Sequence, residues 1–540
     1  MKIKRIGVAA IALAAAGALA LSGCTSGGAD PSAPAGDATA VITTNGSEPQ
    51  NPLIPTNTNE VGGGKILDAI FAGLVYYDAK GAAHNDVAES IETDDAQNYT
   101  ITLKADQTFS DGSPVTANSF VDAWNYGADT ANEQLSQYFF ESIEGFSYDE
   151  SVPELPGLEV VDDTTFTVAL KQPESDFPLR LGYSAFYPLP EGALDDPAAF
   201  GENPVGNGPY MLDGEGAWKH NEKIDLVINP DYDGPRKAVN GGLSIIFYAS
   251  QDAAYADLQG GNLDVLDAIP DSALETFEDE FADRSVTQAA AIFQSFTIPA
   301  RLPHFSGEEG NLRRQAISLA INREEITDVI FAGTRTPAHD FTSPVIDGYS
   351  EEIPGSEVLE YNPDEAKKLW AEADAIAPWD GTFKIAYNAD GGHQAWVDAV
   401  SNGLKNTLGI DASGDPYPTF AEARTKITDR TIQTAFRSGW QADYPALFNF
   451  LGPLYGTGAG SNDGDYSNPE VDTLLKEGLA ETDIAAANEK FQAAQEILFQ
   501  DLPVVPLWYS TVNGAWSELV NDVEFGWNSV PLYYQITKSE

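Results

Sequence analysis

The stretch Tyr99-Thr-Ile-Thr-Leu-Lys-Ala-Asp-Gln-Thr-Phe-Ser-Asp-Gly-Ser-Pro-Val115 opens on a strict alternation. Tyr99, Ile101 and Leu103 are apolar and the two threonines between them polar, the period of two expected of a strand with one buried face. Thr165-Phe-Thr-Val-Ala-Leu170 repeats the pattern after an Asp162-Asp163 turn, and Leu226 to Ile228 and Leu243 to Tyr248 read as further strands. Helices are better marked downstream. Asn322-Arg-Glu-Glu325 has the form of a capping box, and Asn362-Pro363-Asp-Glu365 adds proline at the first helical position. Gln394 to Leu408 places Trp396, Val397, Val400, Leu404 and Leu408 on one side, with Gly409 as a stop and Ile410 beginning a strand. A last helix runs from Glu489 to Phe499, before Leu502-Pro503. Strands interleaved with helices predict α/β layers in at least two lobes.

The N-terminus has a different logic. Lys2, Lys4 and Arg5 precede an Ala/Leu/Ile run from Ile6 to Leu21, which ends in Leu21-Ser-Gly-Cys24. The run falls short of the ~20 residues that comfortably span a bilayer and has the form of a secretion signal. Cys24, the only cysteine, stands where bacterial lipoproteins carry their lipobox, which resembles a site of cleavage and lipid attachment. Residues 1–23 are thus expected to be a lipoprotein signal peptide and residues 24–40 a flexible Ser/Gly/Ala/Pro/Asp tether. With no second cysteine, export brings no disulfide. No later stretch is long and apolar enough to span a membrane.

A 540-residue chain exceeds one hydrophobic core, and 42% hydrophobic with 11% aromatic residues excludes disorder. The net charge of −54 excludes nucleic acid as a partner, since phosphate binding needs basic patches, and disfavours direct docking on anionic lipid. Solubility outside the cell explains the acidity. Enzyme signatures are missing: no G-x-S-x-G elbow, H-E-x-x-H, Walker loop or C-x-x-C, and the five histidines are scattered. Gly62-Gly-Gly64-Lys65 lacks the rest of a phosphate loop and reads as a flexible turn before a helix. Ser461-Asn-Asp-Gly-Asp465 lacks the closing glutamate of a calcium loop and reads as a solvated loop. No cofactor and no metal are expected.

Ala435-Phe-Arg-Ser-Gly-Trp-Gln-Ala-Asp-Tyr-Pro-Ala-Leu-Phe-Asn-Phe-Leu451 raises a sharper question. It is mostly apolar, yet Arg437 and Asp443 stand six residues apart, an even spacing that turns both to one face of an extended chain. The pair is either an internal salt bridge or two hooks for something from outside.

Several motifs carry a resemblance. The Tyr99 to Val115 run resembles the hallmark of the bacterial extracellular solute-binding proteins of family 5, the oligopeptide- and dipeptide-binding group. Asn203-Pro-Val-Gly-Asn-Gly-Pro-Tyr210 is similar to their G-T-G-P-Y turn, with Asn207 for threonine. Leu312-Arg-Arg-Gln-Ala-Ile-Ser-Leu-Ala-Ile-Asn-Arg323 resembles their R-q-A helix, with Asn322 for aspartate. Leu258-Gln-Gly-Gly-Asn-Leu-Asp264 matches a further turn. The resemblance implies a two-lobed α/β periplasmic-binding-protein-like fold of the class II type with an extra inserted domain, and ligand in the inter-lobe cleft. Lobe I would comprise 41–65, 184–290 and 505–540, the inserted domain II 66–183, and lobe III 291–504. The chain would cross between lobes near 290 and 500.

It also assigns roles. Arg437-Ser-Gly-Trp-Gln-Ala-Asp-Tyr444 resembles the family's R-A-G-W-C-A-D-Y segment, in which the aspartate holds a peptide's α-ammonium, the arginine can meet its carboxylate, and the backbone between pairs with the ligand. Asp443 is then the amine anchor, Arg437 a carboxylate partner, and Gly439, Trp440 and Gln441 the main-chain ladder. A second ladder would come from Glu48-Pro49-Gln50, within a match to G-S-E-x-Q, where Pro49 cannot donate. Asn388 and His393 match residues reaching the carboxylate end of longer ligands, with a solvated helix-start histidine as the plainer reading of His393. Arg424 matches a pocket-wall arginine, and Trp508 and Tyr509 an aromatic cluster that is either ligand wall or core. The expected protein is a monomeric, non-enzymatic lipoprotein. It is exported and held at the outer face of the bacterial cytoplasmic membrane by lipid on Cys24, and it passes oligopeptides to the permease subunits of an ABC importer. Alternatives are the same fold binding a metal chelate, haem, opine or sugar, a surface signalling or adhesion lipoprotein, and an exported hydrolase.

Overall fold

The computed structural model describes residues 37–389, 392–418 and 420–539. The signal-peptide reading, Cys24 and the tether up to residue 36 lie outside them. The described chain is organised on one twelve-stranded sheet. Ten of its strands form a continuous path: β1 (Val41–Gly46), β2 (Tyr210–Leu212), β3 (Lys223–Ile228), β4 (Gly242–Phe247), β5 (Val265–Leu266), β6 (Ser285–Thr297), β7 (Phe383–Asn388), β8 (Ala412–Tyr417), β9 (Ala435–Gln441) and β10 (Val504–Trp516), in the order β8-β7-β9-β6-β10-β5-β1-β4-β3-β2. The strands β6 and β10 pair antiparallel from Ser285↔Ala515 to Thr297↔Val504, with register shifts between Ala289 and Phe293 and between Gln294 and Ser295.

These two long strands pass from one hydrophobic core to another. Val512 packs in a first core with Ile42, Ile101 and Trp124. Phe293, Phe296 and Tyr509 pack in a second with Trp396, Leu447 and Phe491. Two cores on a shared pair of strands make the α/β fold two-lobed. A separate antiparallel sheet of Ala88–Glu92, Asn98–Leu103, Thr165–Ala169 and Leu158–Asp162 extends the first core. The helix Ala117–Ala128 lies on it, with Trp124 5.5 Å from Phe166 edge to face.

The alternating segments fold as strands because one face of each is buried: Tyr99, Ile101 and Leu103 are at most 3% exposed. The helix starts follow their caps. Asn322 accepts from Glu325 N at 3.2 Å and Asn362 from Glu365 N at 3.1 Å. The helix Gln394–Leu408 ends on Gly409 at φ +71°, although the next strand begins at Ala412 rather than Ile410. The last long helix spans Ile484–Asp501, started further upstream by the Asp483 side chain, which accepts from Ala486 N at 3.0 Å.

Two expectations are corrected. Gly62-Gly-Gly64-Lys65 is no turn but the first turn of the helix Val61–Ile70. The Glu60 carboxylate caps Gly63 N at 3.0 Å, and a Cβ on Gly62 would come within 2.7 Å of the Ser47 carbonyl oxygen, so close approach explains the glycine there. Ser461–Asp465 is a loop, with Asp465 exposed, but its acids are not left to solvent alone. Asp463 binds Arg424 at 2.6 Å and Arg430 at 3.3 Å, and Asp465 binds Arg301 at 2.9 Å, so guanidinium groups supply its counter-charges.

The turn Asn203–Tyr210 shows why its residues are there. Asn207 closes a reciprocal pair with Ala72, its Oδ1 accepting from Ala72 N and its Nδ2 donating to Ala72 O, both at 3.0 Å. A Cβ on Gly206 would sit 1.9 Å from the Ile70 carbonyl oxygen. Gly206→Ala should therefore destabilise the fold by about 1–3 kcal/mol, the range of overpacking. The check is a lowered midpoint in urea denaturation.

Candidate ligand-binding site

The strand β9 has one paired edge and one largely open edge. Phe436 to Gln441 pair antiparallel with Thr297 to Ile292 of β6. On the other side β7 takes only Ala435 and Phe436. Among the described residues, Arg437 to Gln441 therefore have no strand partner on that edge, and their outward N–H and C=O groups are available to an added chain.

Two cavities take successive parts of this segment into their walls. The larger, about 330 Å³, takes Gln441, Ala442 and Asp443 into its wall together with Asp68, Tyr77 and Trp527. It lies where the two cores touch, since Ala442 packs in the second core and Tyr444 in the first. The smaller, about 140 Å³, takes Arg437, Ser438, Gly439 and Trp440, with Arg424 and Tyr455. The structure thus assigns Arg437 and Asp443 to different cavities. The even-spacing argument fails because β9 stops at Gln441, where Asn449 takes over. Its Oδ1 accepts from Asp443 N at 2.9 Å and Trp440 Nε1 at 3.2 Å, and its Nδ2 donates to the Asp443 carboxylate at 3.1 Å.

Neither charge is neutralised. Among the described residues no cation lies within ion-pair distance of Asp443, and no carboxylate of Arg437. Burial raises the Asp443 carboxyl to about 6, with Asn449 offsetting only part of the effect. Its charge in turn bears on Tyr77, Tyr138 and Tyr183. Burial holds the Arg437 guanidinium below its ordinary value, and its buried Nε has no hydrogen-bond partner. An isolated buried charge is costly and calls for a counter-charge. Arg424, by contrast, is engaged bidentately with Asp463 at 2.6 and 2.7 Å. The turn bearing Asp443 is braced from behind, where Tyr444 donates to Asp176 at 2.8 Å and Asp176 pairs with Arg180 at 2.7 Å.

The other predicted residues lie outside both cavities. Glu48 binds His220 and Asn221 N, each at 2.8 Å, and Gln50 N donates to Glu60 at 3.3 Å. Asn388 is a buried strand end, and His393 accepts from Trp396 Nε1 at 3.2 Å before its helix. Trp508 and Tyr509 are core: Trp508 meets Trp396 edge to face at 5.5 Å, and the Tyr509 hydroxyl is bound by Asp340. Sequence reasoning missed Asp68, Asn449 and the tyrosines of the larger cavity. Asp68 and the tyrosines come from segments distant in the chain from Asp443, whereas Asn449 is six residues past it, and no local pattern marks any of them.

Fold and cavity together define a two-lobed α/β binding protein with an open strand edge between its lobes. The description of bacterial extracellular solute-binding proteins, family 5 Middle, matches residues 82–462, and the chain belongs to that family. It is 29% identical over 486 residues to the periplasmic oligopeptide-binding protein OppA of Escherichia coli (strain K12), covering 87% of each chain. The solved Escherichia coli murein tripeptide binding protein MppA shares its fold at a TM-score of 0.76 and 22% identity, over 93% of this chain and 98% of that one. Haemophilus influenzae OppA in complex with RPPGFSPFR does so at 0.74 and 24% identity, over 94% and 100%.

The Asp443 environment has a direct readout. Two carboxyl ¹³C resonances, from Asp340 and Asp443, should titrate near 6 in the ligand-free protein, and Asp443→Asn should lose one of them. A resonance titrating at the ordinary aspartate value instead would show that burial does not govern this group.

Proposed function

We propose that the protein captures short peptides outside the cell and hands them to an ABC-type importer, without chemistry of its own. The observation that supports this most is the open edge of β9 between an uncompensated carboxylate and an uncompensated guanidinium. A peptide carries matching features whatever its side chains: a backbone for the ladder, an α-ammonium and a carboxylate. Gly439 to Gln441 supply the ladder, Asp443 takes the amine and Arg437 the carboxylate end. With an α-amine pKa of about 8, the ligand is cationic at neutral pH and suited to Asp443.

Glu48, Gln50, Asn388, His393, Trp508 and Tyr509 lie outside the two cavities and are not needed for this reading. Arg424 serves it as wall, closing the smaller cavity through Asp463. The N-terminal segment adds the address: cleavage before Cys24, lipid on its sulfur, and a tether that lets a monomer reach permease subunits. Cys24→Ala should release the protein from the membrane fraction into the medium, measured by fractionation and immunoblot.

Removing one member of a buried charge pair costs roughly 2–5 kcal/mol, against about 8 kcal/mol for a whole micromolar complex. Asp443→Asn should thus weaken tripeptide binding in calorimetry by at least about tenfold with the thermal midpoint retained. N-acetylated tripeptides should bind as weakly to the native protein. Unchanged affinity in the variant would remove Asp443 as the amine anchor. The pH dependence has a defined sign. The bound ammonium lowers the carboxyl from its free value of about 6, so the complex holds fewer protons than the free protein. Affinity is therefore full between about 6 and the amine pKa of about 8, and falls, by up to about tenfold per pH unit, as the pH drops below that window.

A further inference from the structure

The larger cavity carries more negative charge than one α-ammonium can meet. Glu60, Asp68, Asp78 and Asp443 are in its wall, against Lys65 and Arg236. Both cations are engaged by acids outside that wall. Lys65 pairs with Asp267, and Arg236 pairs with Asp86 at 3.2 Å while donating to the backbone oxygens of Asp68 and Phe71. Glu60 caps its helix and Asp78 lies 3.2 Å from His84. Asp68 is left, like Asp443, without an ion-pair partner among the described residues, its carboxylate accepting only from the Tyr187 hydroxyl at 2.7 Å. Arg236 lies near enough to lower its carboxyl, but burial dominates and the net direction is upward.

The placement of Asp68 makes this surplus useful. It is carried on the helix Val61–Ile70 of the first core, whereas Asp443 follows β9 of the second, so the two carboxylates look into the cavity from different lobes. Tyr77 and Tyr183 line the same cavity as the two carboxylates. The wall also carries a group of aromatic rings, with Tyr77 edge-on to Trp527 at 5.4 Å and Tyr76 and Tyr534 among the other lining residues. Aromatic faces beside a carboxylate suit a cation with an apolar stem: the rings attract the charge and pack the methylenes, and the carboxylate supplies the counter-charge. A ring-walled apolar pocket without a carboxylate would fit a neutral side chain instead.

Resting on the peptide reading above, we infer that Asp68 is a specificity-determining residue that selects peptides whose first side chain is cationic, lysine or arginine. The α-ammonium meets Asp443 and the side-chain cation meets Asp68 across the cavity. One carboxylate reads what every peptide has, and the other reads what only some have.

The test compares Lys-Ala-Ala with norleucine-Ala-Ala, which keeps the lysine stem and lacks its charge, by calorimetry on the purified full chain. The native protein should bind the lysine peptide at least about tenfold more tightly. Asp68→Asn should bring that ratio to about two or below, and Asp68→Glu should keep it well above one. Asp443→Asn should weaken both peptides and leave the ratio in place. Equal affinity of the native protein for the two peptides overturns the inference, as does an unchanged ratio in Asp68→Asn, and in both cases the peptide reading stands. If neither peptide binds the native protein, the peptide reading itself fails and takes this inference with it. Were Asp68→Asn not to fold, shown by loss of its thermal transition, the native comparison and Asp68→Glu decide.

Discussion

The antiparallel pairing of β6 with β10 is the constraint on which the rest of the structure depends. Each strand has thirteen residues, about 40 Å of extended chain, and together they run through both cores. No other pair of strands does this, among the described residues. One lobe is built by adding β5, β1, β4, β3 and β2 to one side of the pair, and the other by adding β9, β7 and β8. The register shift between Ala289 and Phe293 interrupts the ladder between the two halves. A ladder interrupted by such irregularities bends there before it bends along its regular stretches. The binding edge depends on the same pairing, because β9 is held in place along β6 and its far edge is left open by the short contact with β7.

Much of the fold could be read from the chain because its signals are local. Tyr99 to Leu103 alternates, and the buried face of its strand follows; Asn322 and Asn362 cap helices because each side chain sits one turn before a free N–H. The failures were tertiary. Three consecutive glycines argue against a helix at roughly 1 kcal/mol each, yet the Glu60 cap and the closeness of Ser47 hold Gly62 to Gly64 in one. Ser461 to Asp465 carries the residues of a hydrated loop, but Arg301, Arg424 and Arg430 arrive from elsewhere to pair with its two acids.

The site shows the same division. Arg437 and Asp443 were legible as a pair of charges out of place on an apolar strand, and both are unneutralised. Their geometry was not legible, because even spacing assumes that the strand continues. Asn449, six residues past Asp443, ends it by taking the Asp443 N–H that a ladder would have used. The tyrosines and Asp68 could not be found at all, since nothing in a sequence announces that residues 68, 77, 183, 443 and 527 share one cavity.

The net charge of −54 gives a final contrast. Most of that charge is at the surface, where water and salt screen it within about 8 Å and it selects nothing. Inside, the acids are nearly all answered: Asp86 by Arg236, Asp176 by Arg180, Asp267 by Lys65 and Asp463 by Arg424. Of the buried charges without an ion-pair partner, Asp340 is enclosed by donors from Thr342 and Tyr509, whereas Asp68 and Asp443 line the larger cavity and Arg437 the smaller. An unpaired charge in a low-dielectric cavity destabilises the empty protein, and a ligand that brings the counter-charge relieves it. The open backbone edge adds attraction without reading side chains. Breadth of recognition and strength of binding therefore come from different parts of one short segment, the ladder groups of β9 and the charges at its two ends.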